Sequence, residues 1–234
     1  MIQVDQLTLQ AGSFRLNNLS FEIPTGKYAV LMGRTGCGKT TLLEGLCGLK
    51  SVISGSIRIG GVDVTRVKPG QRDIGFVPQE GALFPNLTVR EQLGFALEIR
   101  KWSTKAKTER VQELADVLGL VPLLDRYPKG LSGGEQQRIA LGRALAFHPS
   151  VLCLDEPLSA LDEQTRAEMY LVLERIKNHF HTTTLHITHS MEEAVQLADL
   201  LFRLEEGALV QQELPGDLNP GPVNEQTSVT DSGA

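Results

Sequence analysis

The sequence lacks the features that mark several special classes of protein. No apolar run approaches the roughly 18 residues that a membrane-spanning helix needs. The start, MIQVDQLTLQ, has no basic region followed by an apolar one, so we expect no secretory signal. Positive charge is not in excess, because 23 Lys and Arg stand against 28 Asp and Glu. This balance argues against a protein whose main task is to grip nucleic acid.

Cysteine is scarce as well. The three cysteines, Cys37, Cys47 and Cys153, are odd in number and fit no metal-binding spacing. This usage indicates a reduced, cytoplasmic protein. The chain contains no internal repeat. Its 234 residues, 41% of them hydrophobic, are enough for one large domain with or without a subdomain.

The first third of the chain is predicted to be β-structure, because apolar, β-branched and aromatic residues alternate there. A capping-box pattern, Thr88-x-x-Glu91, then predicts the start of a helix. The predicted strands are LTL from Leu7, RLNNLSFEI from Arg15, KYAVLMG from Lys27, a hairpin from Ser54 that turns at Gly60-Gly61, and IGFVPQ from Ile74.

The middle of the chain predicts helices. In ERVQELADVLGL the apolar residues recur at i, i+3, i+4 and i+7, which is one stripe of a helix, and Gly119 ends it. We therefore expect a helical subdomain at residues 87–146. The stripe consists of Val111, Leu114, Ala115 and Leu118.

Strands return in the last third. SVLCLDEP from Ser150 and TTLHITH from Thr183 are short apolar runs typical of central parallel strands. A second box, Ser190-x-x-Glu193, predicts another helix start, and a hairpin turning at Glu206-Gly207 closes the fold. Residues 1–214 are thus predicted to be folded, with a core at 1–86 and 147–214. Residues 215–234, rich in Gly, Pro and Ser, are predicted to be a flexible tail.

One glycine-rich segment predicts a phosphate site. GRTGCGKT matches G-x-x-x-x-G-K-[ST], follows a strand and opens the helix KTTLLEGLCGL. Its backbone N–H groups and the helix N-terminus attract phosphate, Lys39 supplies a charge to the outer phosphates, and Thr40 offers a hydroxyl to Mg²⁺. A plain glycine turn is the alternative. The predicted nucleotide contacts are Gly33, Arg34, Thr35, Gly36, Cys37, Gly38, Lys39, Thr40 and Thr41.

Polar residues end three other predicted strands. Asp155 ends SVLCLD, where a carboxylate can hold Mg²⁺, and Glu156 follows it, where a carboxylate can deprotonate an attacking water. Gln79 ends IGFVPQ, where an amide can touch Mg²⁺ and the water, and His189 ends TTLHITH, where an imidazole can reach the terminal phosphate. Singly, such residues are more often ordinary loop or cap groups. Their shared place at strand ends favours the catalytic interpretation.

We do not interpret the remaining histidines of this region as a metal site. His179, His181 and His186 straddle a helix end and a strand, so we do not expect them to converge on a metal.

A second glycine-rich helix start, LSGGE, lies at Leu131. Ser132-x-x-Glu135 is a capping box, but Gly133 and Gly134 are poor helix formers that cost about 1 kcal/mol each relative to alanine. Bare backbone, the Ser132 hydroxyl and the helix dipole together make an anion seat away from Lys39. A second copy of the protein is the economical source of that anion.

Six motifs in order make the sequence resemble the nucleotide-binding subunit of an ABC transporter over residues 1 to about 214. They are Walker A GRTGCGKT, the Q-loop VPQ, the signature LSGGE, Walker B VLCLDE, the D-loop SALD and the switch THS. The resemblance implies a P-loop NTPase of the α/β class: a RecA-like, mainly parallel sheet with an N-terminal antiparallel β arm and an inserted α-helical subdomain.

The family pattern also implies roles. Gln79, Glu156 and His189 match its catalytic positions, Thr40, Gln79 and Asp155 its Mg²⁺ ligands. Phe14, upstream of Lys39, stands near the place of its adenine-stacking aromatic, with a core phenylalanine as the alternative. Ser132, Gly133 and Gly134 match contacts to the partner subunit's ATP, and Asp162 matches the D-loop.

We therefore expect an ATPase that dimerises head to tail, as a homodimer or with a paired cassette, around two ATP and Mg²⁺. Its expected partners are polytopic membrane permease subunits, docked on the region from Gln79 through the helix after Thr88, and indirectly a periplasmic or extracellular solute-binding protein. Its expected location is the cytoplasmic face of the membrane, with no nucleic-acid partner. A C-terminal regulatory domain is not expected.

The resemblance also implies a class of solute. GSFRLN and TLHITHSMEEA resemble the ATPase subunits of oxyanion importers, for molybdate or tungstate before sulfate. An importer for another solute, such as a polyamine or sugar, is an alternative. So is a soluble ABC ATPase acting on DNA or ribosomes, although the chain has neither a long coiled-coil insertion nor a second cassette. A nucleotide kinase would not need LSGGE.

Overall fold

The computed structural model describes residues 1–80, 83–205 and 207–212. In this part of the chain, two sheets and six helices form, in the order β1 Ile2–Ala11, β2 Phe14–Ile23, β3 Tyr28–Gly33, α1 Lys39–Cys47, β4 Val52–Ile59, β5 Val62–Asp63, β6 Ile74–Val77, α2 Val89–Ile99, α3 Thr104–Leu118, α4 Gly133–Leu145, β7 Val151–Asp155, α5 Glu163–Phe180, β8 Thr183–Ile187, α6 Met191–Leu197, β9 Leu200–Glu205 and β10 Ala208–Gln212.

The central sheet has six strands in the order β10-β9-β3-β8-β7-β6. Five of them, β9 to β6 in that order, run parallel, and β10 pairs antiparallel with β9. Every residue of β7 and β8 is buried, as expected of parallel strands covered on both faces. The mainly parallel sheet predicted from the sequence is confirmed.

The N-terminal strands form a separate antiparallel sheet in the order β2-β1-β4-β5. The predicted turn at Gly60-Gly61 is confirmed, since Ile59 pairs with Val62 across it. Both glycines have positive φ, 58° and 84°, which suits a tight hairpin. Apolar residues of this sheet pack on α1 and on one face of the central sheet.

Three helices, α2, α3 and α4, occupy the middle of the chain. The box at Thr88 is confirmed, because its hydroxyl accepts from Glu91 N–H while the Glu91 carboxylate accepts from Thr88 N–H. The predicted stripe of α3 is buried, and Gly119 ends the helix with φ 65°. These helices enclose an apolar cluster that continues onto the central sheet. None of the helices among the described residues combines the length and the apolar character needed to cross a bilayer.

The predictions for the end of the chain are only partly covered by the described residues. β9 and β10 form the predicted closing hairpin, with Glu205 opposite Ala208. Glu206, one of the two predicted turn residues, and the predicted tail 215–234 lie outside the described residues.

The second predicted capping box is half wrong. Ser190 does cap α6, since its hydroxyl accepts from Glu193 N–H across 3.4 Å. Ser190 N–H, however, donates to Thr188 Oγ1 across 3.0 Å instead of to the Glu193 carboxylate. That carboxylate turns into the core towards His186. The Glu193 carboxylate is therefore not available to the backbone of Ser190.

Two buried arginines that the sequence does not single out hold the C-terminal ends of α1 and α4. Arg72, 4% exposed, donates from Nη1 to Gly45 O and Leu46 O at 3.0 and 2.8 Å. Arg110, 3% exposed, donates to Leu145 O and Ala146 O at 2.6 and 3.0 Å. Each guanidinium pairs the last carbonyls of a helix and neutralises the negative end of its dipole.

Arg72→Met should lower the free energy of unfolding by about 2–4 kcal/mol, because it strands buried carbonyl groups. Arg72 also donates to Thr65 O and Val67 O, so four carbonyl oxygens each lose one hydrogen bond, although Gly45 O keeps the one from Gly48 N–H. Urea unfolding followed by circular dichroism measures the change. Arg66→Met is the matched control, since exposed Arg66 makes one such bond, to Val52 O. Equal losses of stability in the two variants would contradict the role of Arg72 in pairing the carbonyl groups at the end of α1.

Candidate active site

Four neighbouring parallel strands bring the predicted site residues to one edge of the central sheet. In spatial order β3, β8, β7 and β6 are followed by the phosphate loop, His189, Glu156 and Gln79. The carboxyl ends of parallel strands in an open α/β sheet form such a crevice. Two predicted strands are shorter than expected: β6 ends at Val77 before Pro78, which has no N–H for the ladder, and β8 ends at Ile187.

The phosphate loop, residues 33–40, curls over the ammonium group of Lys39. Lys39 Nζ donates to Gly33 O and Arg34 O at 2.8 and 3.1 Å, and the side chain is 6% exposed. Gly36 and Gly38 adopt φ of 80° and 102°, which favour glycine. Arg34, Thr35, Gly36 and Thr40 remain exposed. The loop is thus a surface cradle with a positive charge beneath it.

Phe14 lies against this loop. A side chain at Gly38 would place its Cβ 2.6 Å from Phe14 Cε1. The ring is half-buried and also packs on the cluster between the two sheets. Gly38 is therefore needed for two reasons, its backbone conformation and the close ring. The stacking of Phe14 on an adenine stays a prediction.

Thr40 and Asp155 form the candidate Mg²⁺ site. Thr40 Oγ1 donates to Asp155 Oδ1 across 3.3 Å. Neighbouring oxygens around an octahedral Mg²⁺ are about 3 Å apart, since each lies about 2.1 Å from the ion. Both are hard oxygen ligands, so spacing and chemistry fit the metal.

The electrostatics of Asp155 also favour a cation. Burial raises its pKa, the Thr40 hydrogen bond and Lys39 lower it, and the carboxylates of Glu156 and Glu44 raise it, so that the net shift is upward. The side chain is 4% exposed. A buried carboxylate that is ionised at a cost gains from a nearby positive ion.

Glu156 and His189 face one another. Their atoms Oε2 and Nδ1 lie 3.3 Å apart, with 21% and 64% of the respective side chains exposed. Glu156 has φ 46°, a left-handed conformation that few residues other than glycine adopt, and its N–H donates to Ile187 O across 2.9 Å. The backbone thus turns sharply after β7 and aims the carboxylate at the crevice. Gln79 is exposed at the neighbouring strand end.

The signature segment, residues 131–135, begins α4. Its capping box is confirmed: Ser132 N–H donates to Glu135 Oε2 at 2.7 Å, and Ser132 Oγ accepts from Glu135 N–H at 3.2 Å. The serine oxygen is used, but its own hydrogen can still be donated. Ser132 and Gly133 are exposed, whereas Gly134 is buried.

For Gly134 the structure provides a reason that the sequence does not reveal. A Cβ there would lie 2.5 Å from Thr165 Cγ2 of α5, whereas one at Gly133 would meet Leu161 Cδ2 at 3.3 Å. Asp162 caps α5, accepting from Thr165 N–H at 3.0 Å and from Thr165 Oγ1 at 2.8 Å. The signature segment and the Asp162 loop therefore pack on each other in one chain.

The other histidines do not meet. His179 Nε2 lies 2.9 Å from Glu113 Oε1 near the surface, while His186 is buried beside Tyr28 and Glu193. His181 ends α5 with φ 50°. Across the described residues, no group of three or more His, Cys, Asp or Glu side chains could hold a metal ion.

Comparisons with known proteins agree on one family. A family model described as ABC transporter matches residues 16–159, more than half of the chain. The sulfate/thiosulfate import ATP-binding protein CysA of Nocardia farcinica is 44% identical over 96% of this chain and 68% of its own. The molybdate/tungstate import protein WtpC of Pyrococcus horikoshii is 38% identical over 97% of this chain and 66% of its own.

A third relative has a different named solute. The sn-glycerol-3-phosphate import ATP-binding protein UgpC of Cereibacter sphaeroides is 42% identical over 91% of this chain and 61% of its own. The chain thus spans about two thirds of the length of the curated relatives it matches. Among solved structures, the dimeric post-hydrolysis state of the ATP-binding cassette MJ0796, bound to ADP and Pi, has TM-score 0.79 and 26% identity over 92% of this chain and 99% of its own.

Gly134→Ala should destabilise the fold by about 1–3 kcal/mol, because the added methyl group overpacks the contact with Thr165. Gly133→Ala, the matched control on the exposed neighbour, should change stability by less than about 1 kcal/mol. Thr165→Ser, which removes the clashing methyl group and keeps the hydroxyl, should rescue Gly134→Ala in urea unfolding. A Gly134→Ala variant that gains nothing from Thr165→Ser would show that the contact is not the cause.

Proposed function

Because this chain belongs to the ABC transporter family and has the fold of its ATP-binding cassettes, we propose that it hydrolyses ATP to ADP and phosphate and so powers solute import through separate membrane permease subunits. The observation that carries the proposal is the continuous set Thr40, Asp155, Glu156 and His189 at one sheet edge, with contacts of 3.3 Å at either end. The names of the relatives, all import ATP-binding proteins, support import over action on DNA or ribosomes.

The phosphate chain of ATP binds on the phosphate loop. Backbone N–H groups of residues 33–41 and the N-terminus of α1 attract the oxygens, and Lys39 places its ammonium against the outer phosphates. Cys37 and Thr41 belong to this segment, and Phe14 supports the loop from outside. Thr40 and Asp155 would hold Mg²⁺ with help from Gln79, and the ion would supply positive charge against the developing negative charge on the phosphates.

Glu156 acts as the general base. Its carboxylate, directed into the crevice by the left-handed turn, orients a water molecule and takes its proton as the oxygen attacks the terminal phosphorus. His189 stands beside this carboxylate and contacts the terminal phosphate. The exposed amide of Gln79 closes the other side of the water site. The pair Glu156–His189 thus places the base that deprotonates the water beside the group that contacts the phosphate under attack.

Two chains enclose the nucleotides head to tail, as a homodimer or with a paired cassette. The exposed Ser132 hydroxyl, the bare backbone of Gly133 and Gly134 and the helix dipole of α4 contact the ATP held by the partner. Asp162 lies in the same interface. The dimeric structure of MJ0796 with ADP and Pi supports a dimer of two cassettes.

The permease docks on the helices after Gln79. A groove of about 380 Å³ between α2 and α3 exposes Phe95 beside Arg90 and Glu98, and Ile99 is 66% exposed nearby. Gly81 and Ala82 of the predicted docking region lie outside the described residues. A cytoplasmic segment of the permease covers these apolar side chains, which places the chain at the cytoplasmic face of the membrane. A solute-binding protein acts through the permease.

The solute is a tetrahedral oxyanion of the sulfate, molybdate or tungstate class. The names of two relatives, CysA and WtpC, support the class. The sulfate relatives reach 44% identity and the molybdate/tungstate relative 38%, so the identities do not favour molybdate over sulfate. Glycerol phosphate, named for UgpC, is the alternative with support.

Glu156→Gln should bind ATP with an affinity within about threefold of the wild type and hydrolyse it at least ~100-fold more slowly, the scale of losing a positioned base. Phosphate release and fluorescent-nucleotide titration measure the two quantities. Glu174→Gln, at an exposed site on α5, is the matched control and should keep full activity. Hydrolysis at the wild-type rate would refute the role of Glu156.

The same variant tests the dimer. With ATP and Mg²⁺, Glu156→Gln should sediment as a dimer, because the nucleotide joining two chains is no longer consumed. Adding Ser132→Arg should keep it monomeric without weakening ATP binding to the single chain. If Ser132→Arg abolishes ATP binding by the monomer, the signature segment serves its own nucleotide, and the head-to-tail arrangement is wrong.

Reconstituted with its permease, the ATPase should be stimulated several-fold by a binding protein loaded with sulfate, molybdate or tungstate, the scale at which allosteric coupling acts. The unloaded binding protein is the control. Stimulation by a partner loaded with a sugar, a polyamine or glycerol phosphate instead would reject the oxyanion assignment while leaving the ATPase intact.

A further inference from the structure

Three buried polar side chains lie next to one another below His189, the histidine of the THS motif. Tyr28, the first residue of β3, places its Oη 2.9 Å from His186 Nδ1 on β8. His186 Nε2 in turn lies 3.1 Å from Glu193 Oε2 on α6. The three residues are 2%, 0% and 4% exposed. Burying polar side chains is costly unless they are paired. Tyr28 and His186 are hydrogen-bonded, whereas His186 Nε2 and Glu193 Oε2 make a close polar contact without hydrogen-bond geometry.

The surroundings of Tyr28 and Glu193, the two outer residues of this set, affect which of the side chains carry a proton. Burial, and then the charge of Glu193, raise the pKa of the Tyr28 phenol well above its ordinary value, so its O–H is present to donate. If the Tyr28 O–H donates to His186 Nδ1, the ring hydrogen of the imidazole lies on Nε2, on the side of Glu193. Burial raises the pKa of Glu193. The opposing effects of His186, Thr188 and Arg166 are larger, so the net shift of the pKa is downward and the carboxylate stays charged.

The position of Glu193 in the chain gives this contact its consequence. Glu193 lies in the first turn of α6 and His186 lies in β8, so their contact spans the connection that carries His189. Ser190 N–H is bound to Thr188 Oγ1 at 3.0 Å within that connection. Thr188 N–H donates to Leu31 O of β3 at 3.2 Å. The β8–α6 connection is thus held by the contact between its two flanking elements, by a hydrogen bond within it and by a hydrogen bond to β3.

We propose that Tyr28, His186 and Glu193 are positioning residues that hold the β8–α6 connection, and through it hold His189 against Glu156. This proposal rests on the proposed ATPase function, in which His189 contacts the terminal phosphate. These three residues, called the tether below, set the position of the exposed His189 imidazole and do not themselves touch the nucleotide. A misplacement of about 1 Å in a reacting group is enough to slow a reaction by up to ~100-fold.

Glu193→Gln is the sharpest test, because it keeps the size of the side chain and removes its charge. The kcat for ATP hydrolysis should fall about tenfold, while KM for ATP stays within about twofold because the phosphate loop is untouched. Glu192→Gln is the matched control. Glu192 is an exposed acid in the same helical turn, so it reports the loss of one acidic charge there without loss of the tether.

A double-mutant cycle separates positioning from a general structural effect. In the His189→Ala background, Glu193→Gln should change kcat by less than about twofold, since the side chain it positions is gone. An undiminished tenfold loss in that background would overturn the proposal. If His189→Ala alone leaves kcat unchanged, the role of His189 in the proposed function is wrong, which is a different failure.

A spectroscopic measurement judges the tether without any ATPase assay. The Cε1–H resonance of His189, assigned from the spectrum of His189→Ala, should shift in Glu193→Gln and not in Glu192→Gln. Tyr28→Phe, which removes the donor to His186 at the far end of the chain, should move the same resonance and serves if Glu193→Gln does not fold. An unmoved His189 resonance in the folded variants would overturn the proposal.

Discussion

Every α-helix leaves carbonyl groups unpaired at its last turn, and α1 and α4 bury that turn inside the protein. The buried guanidinium groups of Arg72 and Arg110 pair those carbonyls. With the negative ends fixed in the interior, the positive ends of the same helices stand at the surface, one behind the phosphate loop and one at the signature segment. The two sites proposed to bind anions therefore lie at the opposite ends of these helices from the buried guanidinium groups.

The parts of the fold that could be predicted from the sequence are those with local signals. The phosphate loop, the box at Thr88, the apolar stripe of α3 and the hairpin at Gly60-Gly61 are each contained in a few neighbouring residues. The convergence of Asp155, Glu156 and His189 was predictable for a different reason. Parallel strands share one carboxyl edge, so polar residues following such strands meet without any further information.

The remaining features depend on contacts between residues far apart in the sequence. Nothing near Arg72 indicates that its side chain will be buried against the end of α1, and Ser190-x-x-Glu193 looks like an ordinary box until His186 is placed beneath it. Gly134 is similar, since Thr165 sets its need for bare backbone from another helix. A pattern shows that a residue is polar or small. It does not show which distant group will pair with a polar side chain or fill the space beside a small one.

The left-handed backbone of Glu156, at φ 46°, has a consequence for how this protein can be engineered. A side chain in that region costs about 1–2 kcal/mol relative to glycine, and the proposed role of the carboxylate as general base gives a reason for carrying one at this position. Replacement by glycine would relax the turn while deleting the proposed base. A screen that scores thermal tolerance alone would therefore enrich inactive variants at position 156, whereas one that scores turnover would retain the strained residue.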